Sequence, residues 1–329
     1  MNPLFRLLAV MTAFVIPATL FAEPSAKEVA SHGYQRSIEL RRGAARAVLC
    51  PEAGGRVLVF SVGGKDAMWF DPAEPNRRPG EAAASAGRFD FGPELPTPAH
   101  PLLWSGEWTA QITGPSSARL TSQKDEASGV QLVRDFDLAG ENRLVCQQTI
   151  VNVSQQTHEY CHWGRSFSPG GGICLVPLAG TSRFPNKYAM YEEGAIINVR
   201  PTDEKIRERD GFLEILAPPR KPKLGFDSTA GWLAYVMPGD VLFVKRFPTF
   251  PDRVYNEAAG LTLSVWYPTG ARIELEPIGP RERLAPGESA SFTEEWFVLS
   301  HPFPQEGASI HLPRLREQVA AEFERAGDN

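Results

Sequence analysis

Hydrophobic residues collect along this chain in short β-like runs, and polar turns separate the runs. Gly and Pro, 29 of each in 329 residues, supply turn signals at short intervals. Many short strands with frequent turns predict an all-β fold, a large antiparallel β-sandwich. The predicted strands are Arg46–Cys50, Arg56–Val62, Trp108–Thr113, Val130–Leu138, Leu144–Val153, Ile173–Pro177, Trp232–Met237, Val241–Phe247, Leu261–Tyr267, Arg272–Pro277 and Ser291–Leu299.

A helical pattern occurs only near the C-terminus. Between Leu312 and Ala326, Leu315, Val319 and Phe323 recur four residues apart, after Pro313. This spacing places them on one face and predicts a short helix packed on the outside of the sandwich. We therefore expect one domain over residues 27–303 and a helical tail over 304–329. Residues 72–101, rich in Pro, Ala and Gly, are expected to form a long irregular loop.

Residues 158–162 read His-Glu-Tyr-Cys-His, and their function depends on their local structure. On a helix, His158 and His162 would share a face and could bind one zinc ion, with Glu159 as general base. On a strand the two histidines would lie roughly 13 Å apart, at about 3.3 Å per residue, too far to share a metal.

The residues on either side favour the strand. The preceding run, residues 143–153, is rich in Val, Ile and Thr, and three glycines at 170–172 would end a helix soon after the motif. A period of two divides the segment into two faces. We expect one face, with Cys161, Trp163 and Phe167, to be buried, and the other, with His158, Tyr160 and His162, to face a groove.

The N-terminus resembles a secretory signal peptide over residues 1–22. Arg6 precedes a mostly apolar stretch from Leu7 to Phe21, and small residues follow near Glu23. We therefore expect a secreted or periplasmic protein that is not associated with a membrane after cleavage.

Composition narrows the class of partner. A net charge of −5 argues against nucleic acid, because no basic stripe is available to neutralise phosphates. The 42% hydrophobic and 22% charged residues are ordinary for a globular protein. An exported chain could pair its four cysteines, Cys50, Cys146, Cys161 and Cys174, but buried free thiols are equally consistent with their spacing.

Two further segments combine charged and apolar side chains in a way that suggests a site. In Arg272–Pro277, Arg272, Glu274 and Glu276 alternate with Ile273 and Leu275, although an exposed face of ion pairs would show the same pattern. The segment 88–108 would suit the rim of a carbohydrate groove, because sugars bind aromatic faces and charged groups. It contains Arg88, Asp90, Glu94, His100, Phe89, Phe91, Trp104 and Trp108, and the tryptophans could equally be core residues.

Four segments of this chain resemble the galactose mutarotase (aldose 1-epimerase) superfamily, and within it a secreted bacterial branch. Residues 51–62 (PEAGGRVLVFSV) resemble its early strand pair, and 152–167 (NVSQQTHEYCHWGRSF) resemble the segment with its catalytic histidine. Leu275-Glu276 resembles the pair with its catalytic glutamate, and residues 284–289 (LAPGES) with Trp296 resemble its closing turn and strand. The resemblance implies a β-supersandwich that needs no metal or cofactor.

The resemblance also implies roles for particular residues. His162 matches the general acid and Glu276 the general base of anomer interconversion, and Arg88 and His100 fall where the family keeps substrate-binding basic groups. His158 has no counterpart in the family, and we expect it and Trp104 to contact the sugar because of the segments in which they lie. The match is incomplete, because Cys161-His162-Trp163 lacks the asparagine that precedes the family's histidine.

Three functions therefore remain open. The first is a carbohydrate-binding protein that interconverts the anomers of an aldose. The second is a carbohydrate-binding module without turnover, and the third is a zinc hydrolase that uses His158, Glu159 and His162.

Overall fold

The computed structural model describes residues 23–74, 84–193 and 196–327, and the signal peptide predicted for residues 1–22 lies outside them. Strands dominate the described residues. They are β1 (Ser25–Ser31), β2 (Tyr34–Arg42), β3 (Ala45–Cys50), β4 (Arg56–Val62), β5 (Lys65–Asp66), β6 (Gly87–Gly92), β7 (Thr109–Gly114), β8 (Ser117–Thr121), β9 (Val130–Asp137), β10 (Arg143–Asn152), β11 (His158–Pro169), β12 (Ile173–Pro177), β13 (Ala189–Tyr191), β14 (Ile197–Asn198), β15 (Ile206–Arg209), β16 (Phe212–Ile215), β17 (Lys223–Phe226), β18 (Trp232–Met237), β19 (Val241–Arg246), β20 (Leu263–Trp266), β21 (Arg272–Pro277), β22 (Glu282–Leu284) and β23 (Ser289–Ser300). The helices are α1 (Pro101–Ser105) and α2 (Leu312–Gly327).

These strands form two antiparallel sheets. Sheet A has the order β1-β2-β3-β4-β6-β11-β21-β20-β17-β13-β14, with β5 beside β4 and β22 beside β11. Sheet B has the order β15-β16-β12-β18-β19-β23-β10-β9-β8-β7. Alternate side chains of both sheets meet in one apolar core, in which Phe89 of sheet A stacks on Trp296 of sheet B at 5.3 Å between ring centroids. The predicted large antiparallel β-sandwich is confirmed.

The predicted strands coincide with strands of the structure, and their ends differ by no more than two residues. The prediction of one irregular loop over residues 72–101 is wrong, because β6 runs through it. Its sequence alternates in the strand manner. Phe89 and Phe91 point into the core, and Arg88 and Asp90 point to the opposite face.

The C-terminal helix is confirmed as α2. Leu312, Leu315 and Val319 are buried on the side of sheet B that faces away from sheet A, where they join a second apolar cluster with Leu242 and Phe297. No helix in the described part of the chain combines the length and the apolar character that crossing a membrane requires.

The four cysteines are buried as free thiols, and no disulfide joins them. Of the two alternatives that the sequence left open, the structure has unpaired cysteines. Burial raises the pKa of each thiol, to about 11 for Cys50, so all four are protonated at neutral pH.

Candidate functional site

β11 crosses the middle of sheet A between β6 and β21. Residues opposite one another in antiparallel strands point to the same face of a sheet. Arg165 of β11 lies opposite Arg88 of β6, and the register of Ser166 with Leu275 places it opposite Glu276 of β21. These three side chains project away from sheet B, on what we call the outer face of sheet A.

His162 points the other way, into the core. Its ring stacks on Phe292 of sheet B at 5.7 Å, and its Nε2 lies 3.1 Å from the carbonyl oxygen of Ala290. Its Nδ1 is buried without a hydrogen-bond partner, and burial lowers the pKa of the imidazole to about 4. The expectation that His162 and Glu276 share a cavity is therefore wrong, because strand alternation places them on opposite faces of sheet A.

His158 also lies away from the outer face. Its Nε2 is 2.9 Å from Ser154 Oγ, and its ring stacks on Tyr160, whose hydroxyl donates to the carbonyl of Ser128. Residues 158–162 lie in β11, as predicted, so their two histidines are too far apart to bind one metal. Among the described residues, no group of three or more His, Cys, Asp or Glu side chains is arranged to hold a metal ion.

A cluster of charged and aromatic side chains occupies the outer face, and Glu276 lies at its centre. One carboxylate oxygen, Oε2, accepts hydrogen bonds from Trp163 Nε1 at 2.8 Å and from Lys223 Nζ at 2.5 Å. The other oxygen, Oε1, is buried and has no partner among the described residues. Burial raises the pKa of Glu276 to about 7, although Lys223 opposes the shift. Glu276 can therefore both take up and release a proton near neutral pH.

Arg165 links the carboxylates around Glu276. Its Nε donates to Glu274 Oε1 at 2.7 Å, and its Nη1 lies 3.4 Å from Asp90 Oδ2. Burial disfavours the charge, but the two carboxylates and Glu276 outweigh it and raise the pKa of the guanidinium. Arg165 is thus a permanent cation that fixes the floor of the outer face.

His100 forms the second proton-carrying group of the outer face. It precedes α1, and its Nε2 lies 2.7 Å from Asp90 Oδ1, while its Nδ1 lies 2.7 Å from the carbonyl of Pro98. Burial disfavours the imidazolium, but Asp90 outweighs this and raises the pKa of His100. The ring is 14% exposed, so a ligand could reach it.

The guanidiniums of two arginines lie over the ring of Trp104 in α1. The guanidinium carbon of Arg88 is 4.3 Å from its ring centroid, and that of Arg165 is 4.8 Å away. Arg88 also donates to the backbone carbonyl of Trp104. The half-buried indole is therefore fixed beside the charged groups.

The structure thus brings four of the six predicted site residues to the outer face: Glu276, Arg88, His100 and Trp104. It excludes His158 and His162. The sequence pattern marked Asp90 and Glu274 as charged residues of two candidate segments without giving them a role, and it placed Trp163 on a core face. It did not single out Arg165 or Lys223. The available signal was strand alternation, since residues that share a face with Glu276 on neighbouring strands must be its neighbours.

The sequence matches no family model and no curated protein. The structure does match solved structures. A galactose mutarotase-like protein from Clostridium acetobutylicum superposes with a TM-score of 0.58 at 13% identity, over 84% of this chain and 99% of that one. This chain has the galactose mutarotase-like fold.

Two further structures agree with the mutarotase-like fold. One is a galactose mutarotase-like protein from Lactobacillus casei, with a TM-score of 0.56, 11% identity and coverage of 80% of this chain and 100% of the other. The second is a candidate aldose 1-epimerase from Escherichia coli K12, with a TM-score of 0.57, 12% identity and coverage of 80% and 98%. The fold implied by the sequence resemblance is confirmed.

Proposed function

We propose that the protein binds a carbohydrate on the outer face of sheet A and that Glu276 exchanges a proton with the bound sugar. The names of the structural neighbours, galactose mutarotase-like protein and aldose 1-epimerase, support a sugar as the ligand. The chemistry of the outer face supports it as well. The half-buried indole of Trp104 offers apolar contact for the C–H surface of a sugar, and Arg165 and Lys223 offer donors for its hydroxyl groups.

The observation that carries the proposal is the environment of Glu276. A buried carboxylate with a pKa near 7 and an unpartnered Oε1 is suited to general base catalysis at neutral pH. Glu276 takes the proton of the anomeric hydroxyl. The bond between the anomeric carbon and the ring oxygen then breaks, and the ring oxygen receives a proton from a general acid.

We assign to His100 the role of general acid that the resemblance implied for His162. Asp90 holds its imidazole and favours the protonated form. Both ring nitrogens face acceptors, Asp90 Oδ1 and the carbonyl of Pro98, so the imidazolium gives its proton to the ring oxygen when the hydrogen bond from Nε2 to Asp90 opens. Rotation of the open-chain aldehyde and reversal of both proton transfers give the other anomer, so protons and bonds balance over the cycle. Both groups are regenerated, as a catalyst requires.

Polarimetry tests this proposal directly. We expect the wild type to accelerate the mutarotation of at least one of glucose, galactose, xylose and arabinose. Glu276→Gln and His100→Gln should each lower that rate at least 100-fold, since positioned acid–base groups contribute about 10² to 10⁴. Glu295→Gln, a partly exposed carboxylate of sheet B, is the control and should keep the rate. Full activity in Glu276→Gln would overturn the catalytic role.

A carbohydrate-binding module without turnover is the second candidate. One observation favours it, because the positions of β11 that flank Glu276 on the outer face hold Trp163 and Arg165 instead of a histidine. Calorimetry separates the two functions. Sugar binding that Trp104→Ala weakens, without any increase in the rate of mutarotation, would identify a binding module.

We also propose that the protein is exported, on the composition of residues 1–22. Fractionation of cells that express the full chain should place it outside the cytoplasm. N-terminal sequencing should then begin near Glu23. Recovery of the uncleaved chain from the cytoplasm would overturn this proposal.

A further inference from the structure

The carboxylates on the outer-face strands are already paired, whereas two of the guanidiniums are not. Asp90 contacts His100, Glu274 contacts Arg165, and Glu276 contacts Lys223. Arg88 and Arg272 form no ion pair with any described residue, and the Nε of each is buried without a partner. An anion stabilises a buried or half-buried cation, so each of these guanidiniums suits a negatively charged group of a ligand.

Arg272 is the more accessible of the two. It lies on β21, two residues from Glu274 and therefore on the same face, and it is half-buried whereas Arg88 is buried. Its guanidinium carbon lies 4.8 Å from the ring centroid of Trp69 and 5.3 Å from that of Trp266. Contact with two indole rings restrains the guanidinium without using its terminal N–H groups, so these donors stay available to a ligand.

We propose that Arg272 binds the carboxylate of an acidic sugar, so that the ligand of the outer face is a carbohydrate with a uronic acid unit. This inference rests on the function proposed above and names its ligand class. A fixed guanidinium offers two parallel N–H donors that match the two oxygens of a carboxylate. Trp69 and Trp266 are half-buried, and their exposed edges offer apolar contact to the ring that bears it.

The position of Arg272 indicates that the acidic unit lies beside the unit at Glu276. Four residues along β21 separate their backbones by about 13 Å. Glu274 lies between them, and its charge is neutralised by Arg165. A carboxylate at Arg272 is therefore not repelled by an unpaired acidic group of the same strand.

Calorimetric titration with matched sugars tests the inference. The probes are galactose and galacturonate, glucose and glucuronate, digalacturonate, and galactose 6-sulfate. We expect the wild type to bind digalacturonate or a uronate at least tenfold more tightly than the neutral sugars. Added salt should reduce this preference, because a charged contact contributes to it.

Two variants of Arg272 and one control assign the preference to its side chain. Arg272→Gln should bind acidic and neutral sugars equally, and Arg272→Lys, which keeps the charge but loses the planar fork, should retain only part of the preference. Arg246→Gln is the matched control, because this arginine also stacks on a ring, that of Phe323, but lies on sheet B. Arg246→Gln should keep the full preference. Circular dichroism and melting temperature establish that each variant is folded.

The outcomes separate this inference from the function on which it rests. Three results would each overturn the carboxylate role of Arg272 and leave sugar binding intact. Neutral sugars could bind as tightly as uronates, the preference for acidic sugars could persist in Arg272→Gln, or galactose 6-sulfate could bind more tightly than the uronates. If none of the probes binds, the proposed function itself fails. An acid preference that only the Arg272 variants lose supports the inference.

Discussion

Replacement of Lys223 by Met should raise the pKa of Glu276 and shift the pH dependence of its function. The Lys223 ammonium lies 2.5 Å from Glu276 Oε2 and stabilises the ionised carboxylate. The carboxyl group is fully buried, and burial already raises its pKa to about 7. Without the cation, ionisation becomes still less favourable, so the pKa must move upwards.

The size of the shift follows from Coulomb's law. Two unit charges 4 Å apart interact by about 4 kcal/mol at an effective dielectric constant near 20. Lys223 is 16% exposed, and Arg165 remains nearby, so we take about half of this energy. About 2 kcal/mol corresponds to roughly 1.5 pKa units. The ionised fraction of Glu276 at pH 7 should therefore fall from about one half to a few per cent.

Infrared difference spectroscopy of the carboxyl group, with Glu276→Gln as the blank, measures this pKa without any assumption about turnover. Polarimetric rates across pH should show the same displacement, with at least a tenfold loss at pH 7 if Glu276 acts as base. Lys221→Met is the matched control, since Lys221 contacts the exposed Glu193 at 3.6 Å and should leave Glu276 unchanged. An unchanged midpoint in Lys223→Met would refute the assigned electrostatics.

Three further results follow from the same structure. As pH rises from 5 to 8, the free energy of unfolding of Glu276→Gln should increase relative to that of the wild type, by up to roughly 3 kcal/mol in urea unfolding. The reason is that ionisation of a carboxyl group with a raised native pKa destabilises the folded wild type. An equal difference between the two proteins at both pH values would contradict this. His162→Phe should keep sugar binding. Between pH 6.5 and 4 it should lose less stability than the wild type, because the native pKa of His162 is lowered to about 4 and the unfolded chain therefore takes up the proton first. The pH dependence of the melting temperature of both proteins checks the sign of this difference. Gly164→Ala should destabilise the fold by about 3 kcal/mol or more in denaturant unfolding, since its methyl group would collide with the buried Glu294 carboxylate that pairs with Lys245, and a loss below 1 kcal/mol would count against this packing.

The β-sandwich could be predicted from the sequence, because the residues that favour a strand are neighbours in the chain. Runs such as Arg56–Val62 and Trp232–Met237 consist of β-branched and aromatic residues between turns, and the structure has strands at these positions. β6 was not predicted, because its short alternation of polar and apolar residues is surrounded by Pro, Ala and Gly, which are typical of loops. β13 and β14, which have few residues and little alternation, offered no comparable signal.

The local pattern of apolar and polar residues could not show which face of β11 is turned towards sheet B. Cys161 and Trp163 look like a core face, yet they lie on the outer face, where Trp163 donates to Glu276 and an apolar cluster with Phe184 and Leu261 covers Cys161. His162 looks like a groove residue, yet it stacks within the core. A strand that is buried on both faces carries no reliable polarity signal, so only its partners could fix the orientation.

Gly164 was the one local sign of the correct orientation. A glycine in the middle of a strand indicates a close approach by another group, and here Glu294 of sheet B occupies the space that a side chain would fill. Because Gly164 shares a face with His162, that face is the one against sheet B. The catalytic role that the resemblance implied for His162 can be judged only once the structure shows which face of β11 its side chain is on.

Indole N–H signals in a nitrogen–proton NMR spectrum offer the most direct test of the central claim, that a carbohydrate binds the outer face of sheet A at Glu276. Trp163, whose indole donates to Glu276, and Trp104 report on the outer face, whereas Trp232 reports on sheet B. Each signal is assigned by a Trp→Phe variant, and galactose, glucose and their uronates are added in turn. Our account predicts that at least one sugar shifts the Trp163 and Trp104 signals and leaves that of Trp232 in place. Shifts confined to Trp232, or no shift with any of these sugars, would contradict it.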